Sequence, residues 1–291
     1  MYKISLLLFC VLCFTAQLSA QWANKTESLK QHVAPPQIPA NIDFCGEKIP
    51  LENFDVRESL QRELNSICYW HSSLIYTLQL ANRYMPVIEK LLKQNGVPDD
   101  IKYLCVTESN LQNVVSPAKA AGFWQFVPVT AKEYKLEITA EIDERYNLEK
   151  ATKAACSYLK TAKQRFGNWT TAAASYNVGM AHMTNQIATQ KEDSYYDLYL
   201  NPETARYVFR AIAFKIVMQN PTVYGFHIPQ GQFSQLQYKE VNVTGPVNWV
   251  DFAQKNKTNY KVLREFNPWI RSTKLSTAKT YKVRLPKSRQ F

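Results

Sequence analysis

Between Phe54 and Gln219 the apolar residues recur every three or four positions and never alternate, so this long stretch has to be built from helices. Helices of that kind each bury one stripe against their neighbours and give an all-α layer. Leu60, Leu64, Ile67 and Cys68 share one such face, and Ile75, Leu78, Ala81 and Tyr84 continue a second. Met85-Pro86 is expected to interrupt it, because proline lacks the N–H a helix interior needs, with Val87–Leu92 resuming and Gly96 as a stop. Asn147 offers a cap to a helix over Leu148–Phe166 that Gly167 ends. Trp169–Asn177 reads as a short alanine-rich helix. Asn201-Pro202, a cap followed by proline at the first helical position, opens a long helix to Gln219, and Pro221 stops it.

The period then changes. Tyr238–Val243 and Thr280–Leu285 alternate as strands, and Trp249–Lys255 and Tyr260–Phe266 between them are helical. The expected fold class is therefore mainly α, with a small α+β (β-α-α-β) C-terminal module over residues 236–286. Within the helical part, 54–95 reads as an N-terminal helical region and 96–220 as the main domain. Upstream, residues 21–53 include Ala34-Pro-Pro-Gln-Ile-Pro39 and read as an extended linker. Lys3, the apolar run Ile4–Phe14 and the small residues Ser19 and Ala20 read as a signal peptide over 1–20, which directs the chain across a membrane. Cys10 and Cys13 would suit a lipid anchor, but Phe9 and Leu12 stand where such signals carry a small residue.

Hydrophobic content of 46% and charged content of 20% are those of a globular chain and argue against disorder. The net charge of +11 favours an anionic partner, and the lack of any Lys/Arg run argues against nucleic acid. Aromatic residues make up 13%, a share that suits both cores and grooves that hold sugars. Beyond the signal stand Cys45, Cys68, Cys105 and Cys156, of which Cys45 with Cys68 is the more plausible bridge. The four histidines, His32, His71, His182 and His227, have no metal-ligand spacing, and neither a metal nor another cofactor is expected.

The residue that carries chemistry stands on the helix that follows Gly96. Pro98-Asp99-Asp100 is an acid-rich opening turn, after which Ile101, Leu104, Cys105 and Glu108 fall at i, i+3, i+4 and i+7. Glu108 thus continues an apolar stripe. A carboxyl there loses hydration, which raises its pKa toward the value a general acid needs near neutrality.

Around Glu108 the sequence shows an ordered series. Val106-Thr107-Glu108-Ser109-Asn110 is followed by Ser116-Pro117-Ala118 and by Ala121-Gly122-Phe123-Trp124-Gln125-Phe126-Val127-Pro128. Asp143-Glu144-Arg145, Ala154–Leu159, Phe166-Gly167-Asn168-Trp169 and Ser175-Tyr176-Asn177-Val178-Gly179 complete it. This order and spacing, from Val97 to about Ala188, resembles the lytic transglycosylase domain with a goose-type-lysozyme-like fold. With Glu203-Thr204 and Tyr207-Val208, the longer pattern resembles the subfamily of membrane-bound lytic murein transglycosylase D. Ser175 and Phe123 depart from the family, which commonly has Ala and Leu there. The C-terminal module resembles a degenerate LysM domain at Gly245-Pro246-Val247, Val262-Leu263 and Asn267-Pro268. Its alternative is a structural cap on the main domain.

The resemblance implies a lysozyme-like catalytic domain that cleaves the β-1,4 bond between N-acetylmuramic acid and N-acetylglucosamine in peptidoglycan, leaving 1,6-anhydro ends. Glu108 would be acid and then base. Ser109, Gln125, Tyr176, Asn177 and Tyr207 would bind substrate, and Trp124 would either stack on sugar or simply pack. Asp143, Glu144 and Arg145 read as a loop salt-bridge and capping set. The implied partner is the glycan strand in the periplasm, with outer-membrane association and oligomeric state left open. Two other readings stand beside this one: a hydrolysing muramidase with a second carboxylate, and a non-catalytic wall-binding scaffold.

Overall fold

The computed structural model describes residues 34–229 and 232–287. The expected signal peptide, with Cys10 and Cys13, and the first part of the expected linker lie outside the described residues. The chain from Pro36 onward is one compact unit.

Structure begins earlier than the linker reading allows. β1 (Asp43–Phe44) and β2 (Glu47–Lys48) form an antiparallel hairpin, with Asp43 opposite Lys48 and Phe44 opposite Glu47. Cys45 and Gly46 make its turn at positive φ, and Asp43 Oδ1 accepts the Gly46 N–H. Phe44, Ile49 and Leu51 are buried with the helical core. Two-residue strands are too short to show alternation, which is why the sequence pattern reads as a linker through residue 53.

α1 (Phe54–Tyr69) buries Val56, Leu60, Leu64, Ile67 and Cys68, the expected stripe. α2 (His71–Gln94) departs from expectation, because it runs unbroken through Pro86. Met85 and Ile88 on either side are packed into the core, and that packing outweighs a lost hydrogen bond. Its inner face also carries Leu74, while Ile75 is exposed. A single 3₁₀ turn, Asp99–Ile101, leads into α3 (Lys102–Ser109). α4 (Pro128–Glu133) follows a long loop.

α5 (Leu148–Phe166) starts where Asn147 Oδ1 accepts the Lys150 N–H and ends at Gly167, φ 79°. α6 (Trp169–Val178) is capped in the same way by Asn168. α7 (Met180–Gln190) has one buried residue, Met183, so its apolar stripe was too thin to read from sequence. α8 (Pro202–Gln219) is capped by Asn201, as the Asn-Pro pair requires. It packs on α1, α3 and α6, while α5 packs on α2 and α6. α3 is thereby held among longer helices, with Tyr103, Leu104, Cys105 and Val106 all buried.

The C-terminal part contains β3 (Tyr238–Thr244), β4 (Val247–Asn248), α9 (Trp249–Lys255), α10 (Tyr260–Phe266), β5 (Lys274–Leu275) and β6 (Thr280–Pro286). β3 pairs antiparallel with β6, placing Val241 opposite Val283, and β4 pairs with β5. Its core holds Trp249, Leu263, Trp269, Leu275 and Val283, and Ala121, Ile142 and Tyr146 of the helical part belong to the same cluster. Polar contacts seal the junction: the Asp143 N–H donates to Trp269 O and the Arg271 N–H to Glu141 O. This module is built onto the helical domain.

Cys45, Cys68, Cys105 and Cys156 are all free, so the Cys45–Cys68 bridge is not made. Cys68 lies on the buried face of α1, whereas Cys45 is fixed in the hairpin turn by its N–H bond to Asp100 Oδ2. Among the described residues, no helix is long and apolar enough to cross a membrane.

Candidate active site

Glu108 stands one residue before the end of α3, and Asn110 in the left-handed conformation turns the chain away immediately afterwards. The buried residues below it anchor α3, so the carboxyl is presented from a rigid support. Its side chain is half-buried: protein crowds it, yet part of its surface meets solvent. Tyr207, buried on α8, donates its hydroxyl to Glu108 Oε1 at 2.5 Å. Burial pushes the Glu108 carboxyl up to about 7, against the hydrogen bond from Tyr207, which favours the charged form. The Glu203 charge adds to the rise and the Arg210 charge opposes it. Burial also raises the Tyr207 hydroxyl well above its usual value, so it stays a donor across the working range. A carboxyl poised near 7 can both give and take a proton.

The loop from Asn113 to Val127 lies beside this carboxyl and is pinned from below. Ser109 Oγ donates to Phe123 O at 2.8 Å. Gly122, at φ 79°, sits so close to Arg145 that a Cβ would stand 2.0 Å from its carbonyl oxygen, which leaves room for glycine alone. Arg145 in turn donates through Nη1 to Lys119 O and Phe126 O, and is held by Asp143 through a buried ion pair at 2.7 Å. Asp143 and Arg145 thus form the loop salt bridge that their sequence suggested, Asp143 also capping the Arg145 N–H, while Glu144 turns to the Glu137 N–H and Lys150 Nζ. From the far side, Tyr176 donates its hydroxyl to Trp124 O at 2.8 Å, and Thr204 Oγ1 donates to Asn177 Oδ1 at 2.9 Å. The chain ends of α3, α6 and α8 and this loop therefore meet around one carboxyl.

That arrangement can be set beside known proteins. The description "Transglycosylase SLT domain" matches residues 85–199. "Soluble lytic transglycosylase C-terminal LysM-like domain" matches residues 239–289. Residues 85–199 are thus similar to SLT domains. The chain is also 28% identical over 253 residues to membrane-bound lytic murein transglycosylase D of Escherichia coli strain K12, and equally to that of Escherichia coli O6:H1. The alignment covers 84% of this chain and 55% of each relative, so the chain spans about half the length of the curated relatives it matches.

In the matched stretch and on α8 beyond it, the sequence-predicted residues fall into two groups. Tyr176 and Asn177 come to the Glu108 end of α6, and Tyr207, which lies past the matched residues, closes on Glu108 directly. Gln125, at φ 47°, spends both amide hydrogens on Val114 O and Gly122 O, so it shapes the loop. Ser109 is likewise turned inward. Trp124 is a correction. It is fully buried with its Nε1–H on Thr152 Oγ1 at 2.9 Å, leaving no ring face to stack on a sugar. Thr204, which holds Asn177, was missed as a site residue, although the Glu203-Thr204 pair was visible in the sequence. Among the described residues, no group of His, Cys, Asp and Glu could hold a metal ion. The cavity of about 490 Å³ at the junction with the C-terminal module, lined by Tyr84, Tyr238 and Trp269, is a separate feature.

Proposed function

We propose that this protein is an exported lytic transglycosylase that cleaves the β-1,4 bond between N-acetylmuramic acid and N-acetylglucosamine in peptidoglycan. The observation that carries the reading is the Glu108 carboxyl, half-buried, raised to about 7 and bonded to Tyr207. The SLT match supports the substrate class. As the acid, Glu108 gives its proton to the leaving glycosidic oxygen while the bond to the anomeric carbon breaks. The resulting carboxylate then accepts the proton of the muramic acid's own 6-hydroxyl, whose oxygen closes on the anomeric carbon as a 1,6-anhydro ring. The nucleophile is already part of the substrate, at high effective concentration, so one carboxyl suffices. Hydrolysing glycosidases instead use two.

Tyr207 steadies the carboxylate between the two steps, and Tyr176 and Asn177 line the sugar's approach. The basic surface draws the chain to the anionic wall, and the signal-like start of the sequence fits work in the periplasm, with outer-membrane association as a peripheral protein.

One observation favours a second reading. Glu203, at the first turn of α8, is close enough for its charge to act on Glu108, and a second carboxylate aligned to a water would make the enzyme a hydrolysing muramidase. Incubating purified peptidoglycan with the native chain, Glu108→Gln and Glu203→Gln, followed by mass spectrometry, separates the readings. Anhydro-muropeptides from the native chain and from Glu203→Gln, with none from Glu108→Gln, are expected. Reducing-end products would establish hydrolysis, and wall binding without products a scaffold.

A further inference from the structure

Beside Glu108 lies a second feature that the reaction does not use. Glu63 on α1 is 1% exposed and accepts hydrogen bonds from two arginines of α8: Arg206 Nε to Oε1 at 2.5 Å and Arg210 Nε to Oε2 at 3.3 Å. Arg62 Nε also stands 3.5 Å from Glu63 Oε1, so three guanidinium groups meet two carboxylates, Glu63 and Glu203, and a positive charge is left over. Both arginines of α8 engage Glu63 through Nε. Among the described residues their terminal nitrogens make no hydrogen bond to protein, and Arg210 Nη1 stands 3.9 Å from the exposed Glu203. Their side chains remain 36% and 27% exposed. The guanidinium planes are therefore fixed from behind while the forks that suit a carboxylate point away from their anchor.

These arginines line a pocket of about 320 Å³. Phe214 supplies apolar wall, and Trp70, between α1 and α2, stands at its edge with 65% of its surface exposed. Thr107, the residue before Glu108, lines the same pocket. A buried ion pair serving only the fold would have its donors consumed and no void beside them. Here two arginines, an exposed aromatic residue and an open volume share a pocket with Thr107 and Asn110, the residues on either side of Glu108-Ser109. An uncharged sugar would have no use for two guanidinium forks, whereas an acidic peptide needs both the charge and the apolar face.

We propose that this pocket binds a carboxylate of the acidic peptide stem carried by the glycan strand, with Arg206 and Arg210 as its recognition pair and Trp70 covering the stem's aliphatic part. The assignment rests on the transglycosylase reading for the identity of the strand. It makes the enzyme selective for strands that still carry stems, since the stem hangs from the sugar whose bond is cut.

The test starts with binding in the absence of turnover. The full chain is titrated calorimetrically with an N-acetylated acidic tetrapeptide and with the same peptide fully amidated. The acid peptide should bind and the amidated one should be weaker by roughly tenfold or more, the loss expected for charge-assisted hydrogen bonds. Equal affinity, or no binding of either at millimolar concentration, would overturn the assignment with the native protein alone. Arg206→Lys keeps the charge toward Glu63 but loses the fork, and should remove most of the discrimination; Trp70→Ala should weaken both peptides. Cleavage of stem-bearing strands is then compared with that of strands stripped of stems by an amidase. A lower KM for stem-bearing strands that disappears in Arg206→Lys is the supporting result. Equal cleavage of both strands into anhydro products would sink the stem pocket and leave the transglycosylase reading standing. Selective binding of the acid peptide without anhydro products would uphold the pocket and remove that reading.

Discussion

Glu108 at the end of α3 and Glu137 at the junction with the C-terminal module are matched in one respect and opposed in another. Each is a partly buried carboxylate that accepts a tyrosine hydroxyl, from Tyr207 in one case and Tyr281 in the other. Burial raises both. Glu137, however, also receives Lys279 Nζ at 2.5 Å, and the hydrogen bonds and charge together hold it below the ordinary carboxylate value. Glu108 has the tyrosine without the ammonium, and burial prevails. The same pattern recurs at the junction, where Glu149 is paired with Arg284. A carboxylate with a cation beside it holds structure together; one left without is available for proton transfer.

The sharpest way to break this contrast is Glu108→Gln. General acid–base catalysis contributes about 10²–10⁴-fold, so muropeptide release should fall by at least that range in a turnover assay. The same substitution should leave the fold intact and raise its stability at alkaline pH. A carboxyl whose folded pKa is raised contributes fully below its unfolded pKa of about 4.3 and loses that contribution as pH climbs toward the folded value. For a shift to about 7 with partial exposure, the cost to the native protein at pH 8 is on the order of 1–3 kcal/mol. Melting curves at pH 4 and pH 8 should therefore show Glu108→Gln gaining on the native chain only at the higher pH.

Tyr207→Phe sharpens the comparison from the other side. Removing the hydroxyl that favours the charged form should move the alkaline limb of the rate profile upward by about 1–2 pH units, a charge-assisted hydrogen bond's worth. A loss of rate with no movement of the limb would mean that Tyr207 acts on substrate alone. At the junction, Lys279→Gln should make Glu137 behave more like Glu108. Its pKa should rise, with a stability cost below about 1 kcal/mol for so exposed an ammonium. The native Glu137 contribution is present above its unfolded pKa and lost as pH falls, so the two melting curves should converge under acid.

Much of this was legible in the sequence, for identifiable reasons. Caps and stops are local chemistry, so Asn147 with Gly167 and Asn201 with Pro202 set helix boundaries that the structure keeps. Glu108 could be found because its position on the apolar stripe of α3 is a matter of spacing. Pro86 was misread because tertiary packing decides whether a helix tolerates proline. Trp124 was ambiguous for a related reason: a motif fixes where a side chain starts, and only the fold fixes whether its ring meets solvent or Thr152. The pairing of Glu63 with Arg206 and Arg210 joins residues 143 and 147 positions apart, and no local pattern announces it. Nor does any pattern reveal that Ala121, Ile142 and Tyr146 belong to the C-terminal module's core.

The claim beneath all of this is that Glu108 holds its proton near neutrality because burial outweighs both the Tyr207 hydrogen bond and the Arg210 charge, with no cation hydrogen-bonded to the carboxyl. Site-resolved carbon NMR of the glutamate carboxyls across pH, with the Glu108 signal assigned by its absence in Glu108→Gln, tests that directly. A midpoint of about 7 for Glu108, with Glu137 titrating below the ordinary carboxylate range, is the predicted result. Glu108 titrating together with the exposed glutamates would contradict it, and with it the role of this carboxyl as the acid.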